Sequence, residues 1–177
     1  MKRWIAVVPL VALAALGALF WGFALRHDPH VSPAALVGKP APKVILASLG
    51  GGEPSPVVRP GRGPVLVNFF ASWCVPCVQD APALMALKAG GAPIVGVAYK
   101  DAPDKAQAFL DRYGDPFART LQDPRGAAGL EFGVSGVPET FLVGADGVIK
   151  AKHSGPMTPD DAEAMADRLE RERRASR

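Results

Sequence analysis

Cysteine is nearly absent from this chain. Two occur in 177 residues, and both lie in Trp73-Cys74-Val75-Pro76-Cys77. Two thiols make a poor framework for a small stapled scaffold and fall short of the four ligands of a closed zinc site. Histidine is scarce as well: His27, His30 and His153. The first two form an HxxH in a Pro-containing stretch that reads as solvated linker, so no metal site is expected. Charge of one sign is also lacking. The net charge is +3, aromatics are 7% of the chain, and no basic patch is interleaved with them. That excludes a nucleic-acid surface.

A further lack is local. No charged side chain occurs from Trp4 to Leu25, a run of 22 residues that follows Lys2-Arg3 and precedes Arg26-His27-Asp28. As a helix it is about 33 Å long, enough for a bilayer core of about 30 Å. A cleaved leader usually has a shorter apolar stretch and a small-x-small site at its end. Here Ala12-Leu13-Ala14 lies mid-run, so residues 1–26 are expected to be an uncleaved anchor spanning residues 4–25. Lys2 and Arg3 would stay inside. Residues 27–38 carry Pro29, Pro33 and Gly38 and read as a tether, which leaves 39–177 as the folded domain.

What surrounds the cysteines gives them meaning. Pro64 to Phe70 is a mostly apolar run that reads as a buried strand, and Val78 to Lys88 reads as helix. The CxxC therefore sits at a strand-to-helix turn. Unpaired N–H groups and the positive end of the dipole favour a thiolate there. A nucleophilic Cys74 and a resolving Cys77 one turn away make a redox dithiol. An inert structural disulfide and half of a metal site are the alternatives. The loop is too short for the first to restrain the unfolded chain much. The second lacks partner ligands.

The rest of the chain alternates. Val44 to Leu49 and Val57-Val58 are expected as short paired strands. Ile94 to Tyr99 is a second buried strand. Asp104 to Tyr113 is a helix with Ala106, Phe109, Leu110 and Tyr113 on one face. A short helix opens after Asp123-Pro124-Arg125-Gly126. Glu139 to Val143 and Val148 to Lys152 form a hairpin around Ala145-Asp146-Gly147. The last helix starts at Thr158, with Pro159 at its first position and a core face of Ala162, Met165, Ala166 and Leu169. Arg171 to Arg177 reads as a solvated tail. A domain of residues 39–177 buries roughly 70% of its unfolded surface, so its stability does not need the disulfide.

Asn68 to Cys77 resembles the active-site stretch of membrane-tethered, extracytoplasmic thioredoxin-like proteins. Gly136-Val137-Pro138-Glu139-Thr140-Phe141-Leu142-Val143 and Gly96 to Asp101 most resemble the cytochrome c maturation reductases called CcmG or DsbE. The resemblance implies an α/β, thioredoxin-like fold: a central mixed sheet flanked by helices, with an N-terminal β extension and one transmembrane helix. It implies a cis Pro138 facing Cys74 and Cys77, with Val137 offering backbone to a substrate. The family pattern WCxxCxxE is met by Asp80, one methylene shorter. Asp80 and Glu139 are the expected redox-tuning or proton-transfer groups, and Trp73, Val75, Pro76, Thr140 and Tyr99 surround the site. No cofactor beyond the Cys74–Cys77 disulfide is implied. The implied partners are apocytochrome c or its haem-ligation chaperones, and a membrane thiol donor of the CcdA/DsbD type. The implied location is the bacterial inner membrane, with the domain in the periplasm. A dithiol oxidase or isomerase shares the fold and the CxxC and differs in reduction potential. A copper carrier is expected to show CxxxC, whereas this chain has CxxC.

Overall fold

The computed structural model describes residue 9, residues 11–18 and residues 36–176. The chain divides into two units, Met1–Ser32 and Pro33–Arg177. In the first, the described residues are helical. Among the described residues no helix is long and apolar enough to cross a membrane. Most of the expected anchor, and residues 27–35 of the expected tether, lie outside them.

The second unit runs β1 (Ile45–Ser48), β2 (Ser55–Pro56), β3 (Val65–Phe70), α1 (Val75–Ala89), β4 (Ile94–Tyr99), α2 (Pro103–Tyr113), β5 (Arg119–Asp123), α3 (Ala127–Glu131), β6 (Glu139–Val143), β7 (Ile149–Ser154) and α4 (Pro159–Ala175). The strands form one sheet in the order β2-β1-β5-β4-β3-β6-β7. β3, β4 and β5 are parallel, and β1, β6 and β7 join antiparallel. This is the expected mixed α/β sheet flanked by helices.

The strand sequences explain the layering. β3 reads Val-Leu-Val-Asn-Phe-Phe and is apolar on both faces, as a central parallel strand must be. Leu66 and Phe70 point to a core shared with α1, α2 and α4, through Leu84, Leu87, Phe109, Leu110, Met165 and Leu169. Val67 and Phe69 point the other way, to a core with Ala128, Phe132 and Phe141. Gly96 of β4 is required by close packing, since a β-carbon there would meet the Phe117 ring at 2.5 Å. α4 starts on a capping box: the Asp161 N–H donates to the Thr158 hydroxyl, and the Thr158 N–H donates back to the Asp161 carboxylate.

Three details differ from the sequence reading. β5 was not expected, because Leu121 is its only large apolar residue. It inserts between β1 and β4, with Leu121 opposite Val97 and Ser48. The short partner of β1 is Ser55–Pro56 rather than Val57-Val58, and Val57 is buried instead. α4 continues through most of the expected solvated tail. There Arg173 pairs with Glu170 and donates to the Gly91 carbonyl. Residues 38–41, where tether meets domain, are pinned by backbone hydrogen bonds to Gly147 and Ile149.

Candidate active site

Strand β3 ends at Phe70, and α1 begins five residues later. Asp101, at the end of the neighbouring β4, fixes the intervening turn. Its carboxylate accepts from the Ser72 N–H at 2.6 Å, the Ser72 hydroxyl at 2.8 Å and the Ala102 N–H at 2.9 Å. The Trp73 indole N–H donates to the Lys100 carbonyl at 3.1 Å. Lys100 has φ 48°, a left-handed conformation that costs a side-chain-bearing residue roughly 1–2 kcal/mol. The parallel pairing of β3 and β4 thus brings Asp101 and Lys100 under the CxxC turn.

Cys74 is the N-cap of α1. Its sulfur accepts from the Cys77 N–H at 3.1 Å, and the two cysteines form a disulfide with Cα atoms 5.3 Å apart. Both are buried, while Trp73 and Val75 beside them are 57% and 71% exposed. The disulfide therefore lies just beneath a small apolar rim. The Val137–Pro138 bond is cis, and the Val137 carbonyl oxygen lies 3.2 Å from the Cys74 sulfur. The loop before β6 thus meets the cap of α1 at the sulfur atom.

Below Cys77 the structure places a polar cluster inside the apolar core. Asp80, one helical turn on, is 1% exposed. Its carboxylate accepts from the Met157 N–H at 2.9 Å and from the Asn68 amide at 3.3 Å. Asn68 also donates to the Thr140 hydroxyl at 3.0 Å, and its own carbonyl oxygen has no partner among the described residues. Asn68, Cys77 and Asp80 line one small cavity of about 10 Å³, close to the room one water molecule needs. Burial pushes the Asp80 carboxyl above the usual range. The Met157 N–H, the Asn68 amide and the charge of His153 oppose that shift without cancelling it. A carboxyl held this way takes up a proton more readily than one in water.

Glu139 goes elsewhere. In the β3–β6 register Asn68 faces Thr140 and Phe69 faces Glu139. Successive strand residues point to opposite faces, so Glu139 leaves the face that holds Asp80. Its Oε1 accepts from the Ser135 hydroxyl at 2.6 Å and the Ser154 hydroxyl at 3.2 Å. Its Oε2 sits 3.0 Å from the Lys152 ammonium, as an ion pair outside hydrogen-bonding alignment. It anchors the loop that carries Val137 and Pro138. Tyr99 also turns to that second face, where its ring packs on Gly129.

Of the expected residues, the structure gathers Trp73, Cys74, Val75, Pro76, Cys77, Val137 and Pro138 at the surface site. It places Asp80 and Thr140 beneath them and leads Glu139 and Tyr99 away. Sequence reasoning did not single out Asn68, Asp101 or His153 as site residues. A lone Asn within an apolar strand run was the available signal, since a buried amide needs partners.

The Redoxin family matches residues 36–169. The chain is 42% identical to the thiol:disulfide interchange protein HelX of Rhodobacter capsulatus, over 90% of this chain and 92% of that protein. It is 40% identical to the thiol:disulfide interchange protein DsbE of Escherichia coli K12, over 90% of this chain and 89% of that one. The chain belongs to the DsbE/HelX family of thiol:disulfide interchange proteins. A crystal structure of a putative DsbE from Chlorobium tepidum superimposes with a TM-score of 0.61 at 30% identity, covering 77% of this chain and 94% of that one. As a DsbE/HelX protein the chain is a thiol:disulfide oxidoreductase, and the Cys74–Cys77 disulfide is its CxxC centre.

Proposed function

We propose that this protein is a periplasmic dithiol reductase of cytochrome c biogenesis, held at the inner membrane by residues 4–25. The observation that carries the reading is identity of about two residues in five with DsbE and HelX over nine-tenths of the chain, joined to a disulfide at the helix cap beside the Val137 carbonyl. The client is the disulfide of an apocytochrome c CxxCH site, or a haem-ligation chaperone disulfide-bonded to it. A membrane thiol protein of the CcdA/DsbD type renews the dithiol. The uncharged run from Trp4 to Leu25 supports the anchor.

The residues divide the work. Helix N–H groups at Cys74 stabilise its thiolate. That thiolate attacks one client sulfur, forms a mixed disulfide and expels the other client sulfur as thiolate. Cys77 then attacks the Cys74 sulfur. The mixed disulfide breaks, the client leaves as a dithiol, and Cys74–Cys77 becomes the disulfide. Two electrons pass to the client. Asp80, across the shared cavity, takes the proton that Cys77 must lose. Trp73, Val75, Pro76 and Val137 form the apolar rim, and the Val137 backbone aligns the client strand.

A reduced chain should reduce an oxidised CxxCH peptide. Cys77→Ser should accumulate a mixed disulfide with it, while Cys74→Ser should accumulate little. Mass spectrometry of acid-quenched mixtures reads both. If Cys74→Ser traps the peptide and Cys77→Ser does not, the roles are reversed. If the peptide is untouched while reduced proteins are oxidised instead, the chain is an oxidase.

A further inference from the structure

His153 lies at an unusual place. In β7 it stands directly opposite Thr140, and Thr140 stands opposite Asn68 in β3. Opposed residues of antiparallel strands share a face at about 5 Å. Asn68, Thr140 and His153 therefore make one polar row across three strands, on the face that carries Cys77. Asp80 lies over this row. Its two oxygens reach Asn68 at one end and Met157, four residues past His153, at the other. The His153 ring is partly buried, and its Nε2 is fully buried with no hydrogen-bond partner among the described residues. A buried unpartnered ring nitrogen is costly, and nothing in the fold requires an imidazole there: Ala151, next on the same face, is simply apolar core.

The charged groups around it define what it can do. Asp80 of α1 and Asp161 of α4 both feel its charge. Asn68 and Thr140 are neutral. Lys152, its neighbour on β7, points to the opposite face and pairs with Glu139. A positive charge on the His153 ring favours the carboxylate of Asp80, and its removal favours the protonated acid. Asp80 is 1% exposed, whereas His153 is partly open to solvent.

We propose that His153 is a positioning residue for disulfide exchange: from its place beside the buried Asp80–Asn68–Thr140 cluster its charge sets how tightly Asp80 holds the proton taken from Cys77. This rests on the reading that Asp80 serves Cys77.

The test follows the Asp80 carboxyl carbon by NMR in the full-length chain labelled with ¹³C-aspartate, with Asp80→Asn identifying the signal. In His153→Gln, Asp80 should bind its proton about tenfold more tightly than in the wild type, as expected for losing a nearby opposite charge. The pH profile of exchange with glutathione should move up by the same tenfold factor in proton concentration. His153→Lys keeps a positive charge there, so Asp80 should hold its proton about tenfold less tightly than in His153→Gln; His153→Asn serves if the Gln variant does not fold. A merely structural His153 would alter stability and leave the carboxyl titration alone. An Asp80 titration unmoved in His153→Gln or His153→Asn, or no different between the uncharged variant and His153→Lys, overturns the proposal. So does a moved titration that the exchange profile fails to follow. Failure of the reductase reading is seen separately, as a wild-type chain that leaves the CxxCH peptide oxidised while the Asp80–His153 titration remains intact.

Discussion

Lys152→Met lowers the unfolding free energy by about 3–5 kcal/mol, the usual cost of removing one partner from a buried pair. The Lys152 and Glu139 side chains are 6% and 2% exposed, and their charged atoms are 3.0 Å apart. Without the ammonium, the Glu139 carboxylate stays buried with only the Ser135 and Ser154 donors. Removing both charges is far milder, because two apolar groups leave no stranded ion. Lys152→Met with Glu139→Leu should therefore recover more than half of the loss, less the cost of freeing the Ser135 loop. Urea unfolding of the wild type, each single variant and the pair measures the coupling. Additive losses in the double variant would show that the two groups act independently.

Asp80→Asn should slow exchange by about 10² to 10⁴-fold, the usual range for removing a positioned general base, and should stabilise the fold at neutral pH. The structure tolerates the amide. Asparagine keeps an acceptor for the Met157 N–H, and a flip of the Asn68 amide turns its carbonyl to accept from the new NH₂ and from the Thr140 hydroxyl. The pH sign follows from burial. Asp80 holds its proton in the folded state at pH values where the unfolded chain has already lost it, its ordinary value being 3.8. The folded state then binds more protons, so stability falls as pH rises from about 4 through the raised folded value and levels off above it. Asp80→Asn should remove that fall. Denaturation midpoints at several pH values, beside stopped-flow exchange rates, report both effects. A variant that exchanges at the wild-type rate would make Asp80 a bystander.

How far the sequence reveals this site depends on distance along the chain. The CxxC, its strand and its helix are contiguous, and local signals reveal them. Asp80 lies one helical turn past Cys77, so helix geometry places it as well. Glu139 shows the limit. It follows Pro138 in sequence, and that adjacency suggests nearness to the sulfurs. Strand alternation sends it to the other face, and the register of Phe69 against Glu139 decides this. β5 was illegible for a similar reason. Arg119-Thr120-Leu121-Gln122-Asp123 has little apolar content, and its place between β1 and β4 depends on long-range pairing. His153 joins the row of Asn68 and Thr140 only because β7 lies two strands from β3, which no local pattern records.

The reduction potential of the Cys74–Cys77 couple, measured against glutathione at neutral pH, bears most directly on the direction of electron flow. A buried acid beneath Cys77, together with a client that must receive electrons, leads to a value on the order of −200 mV or below, in the range of glutaredoxins and thioredoxin. A value near −120 mV, that of the oxidant DsbA, would mean that the protein takes electrons from its clients and would contradict the reductase assignment.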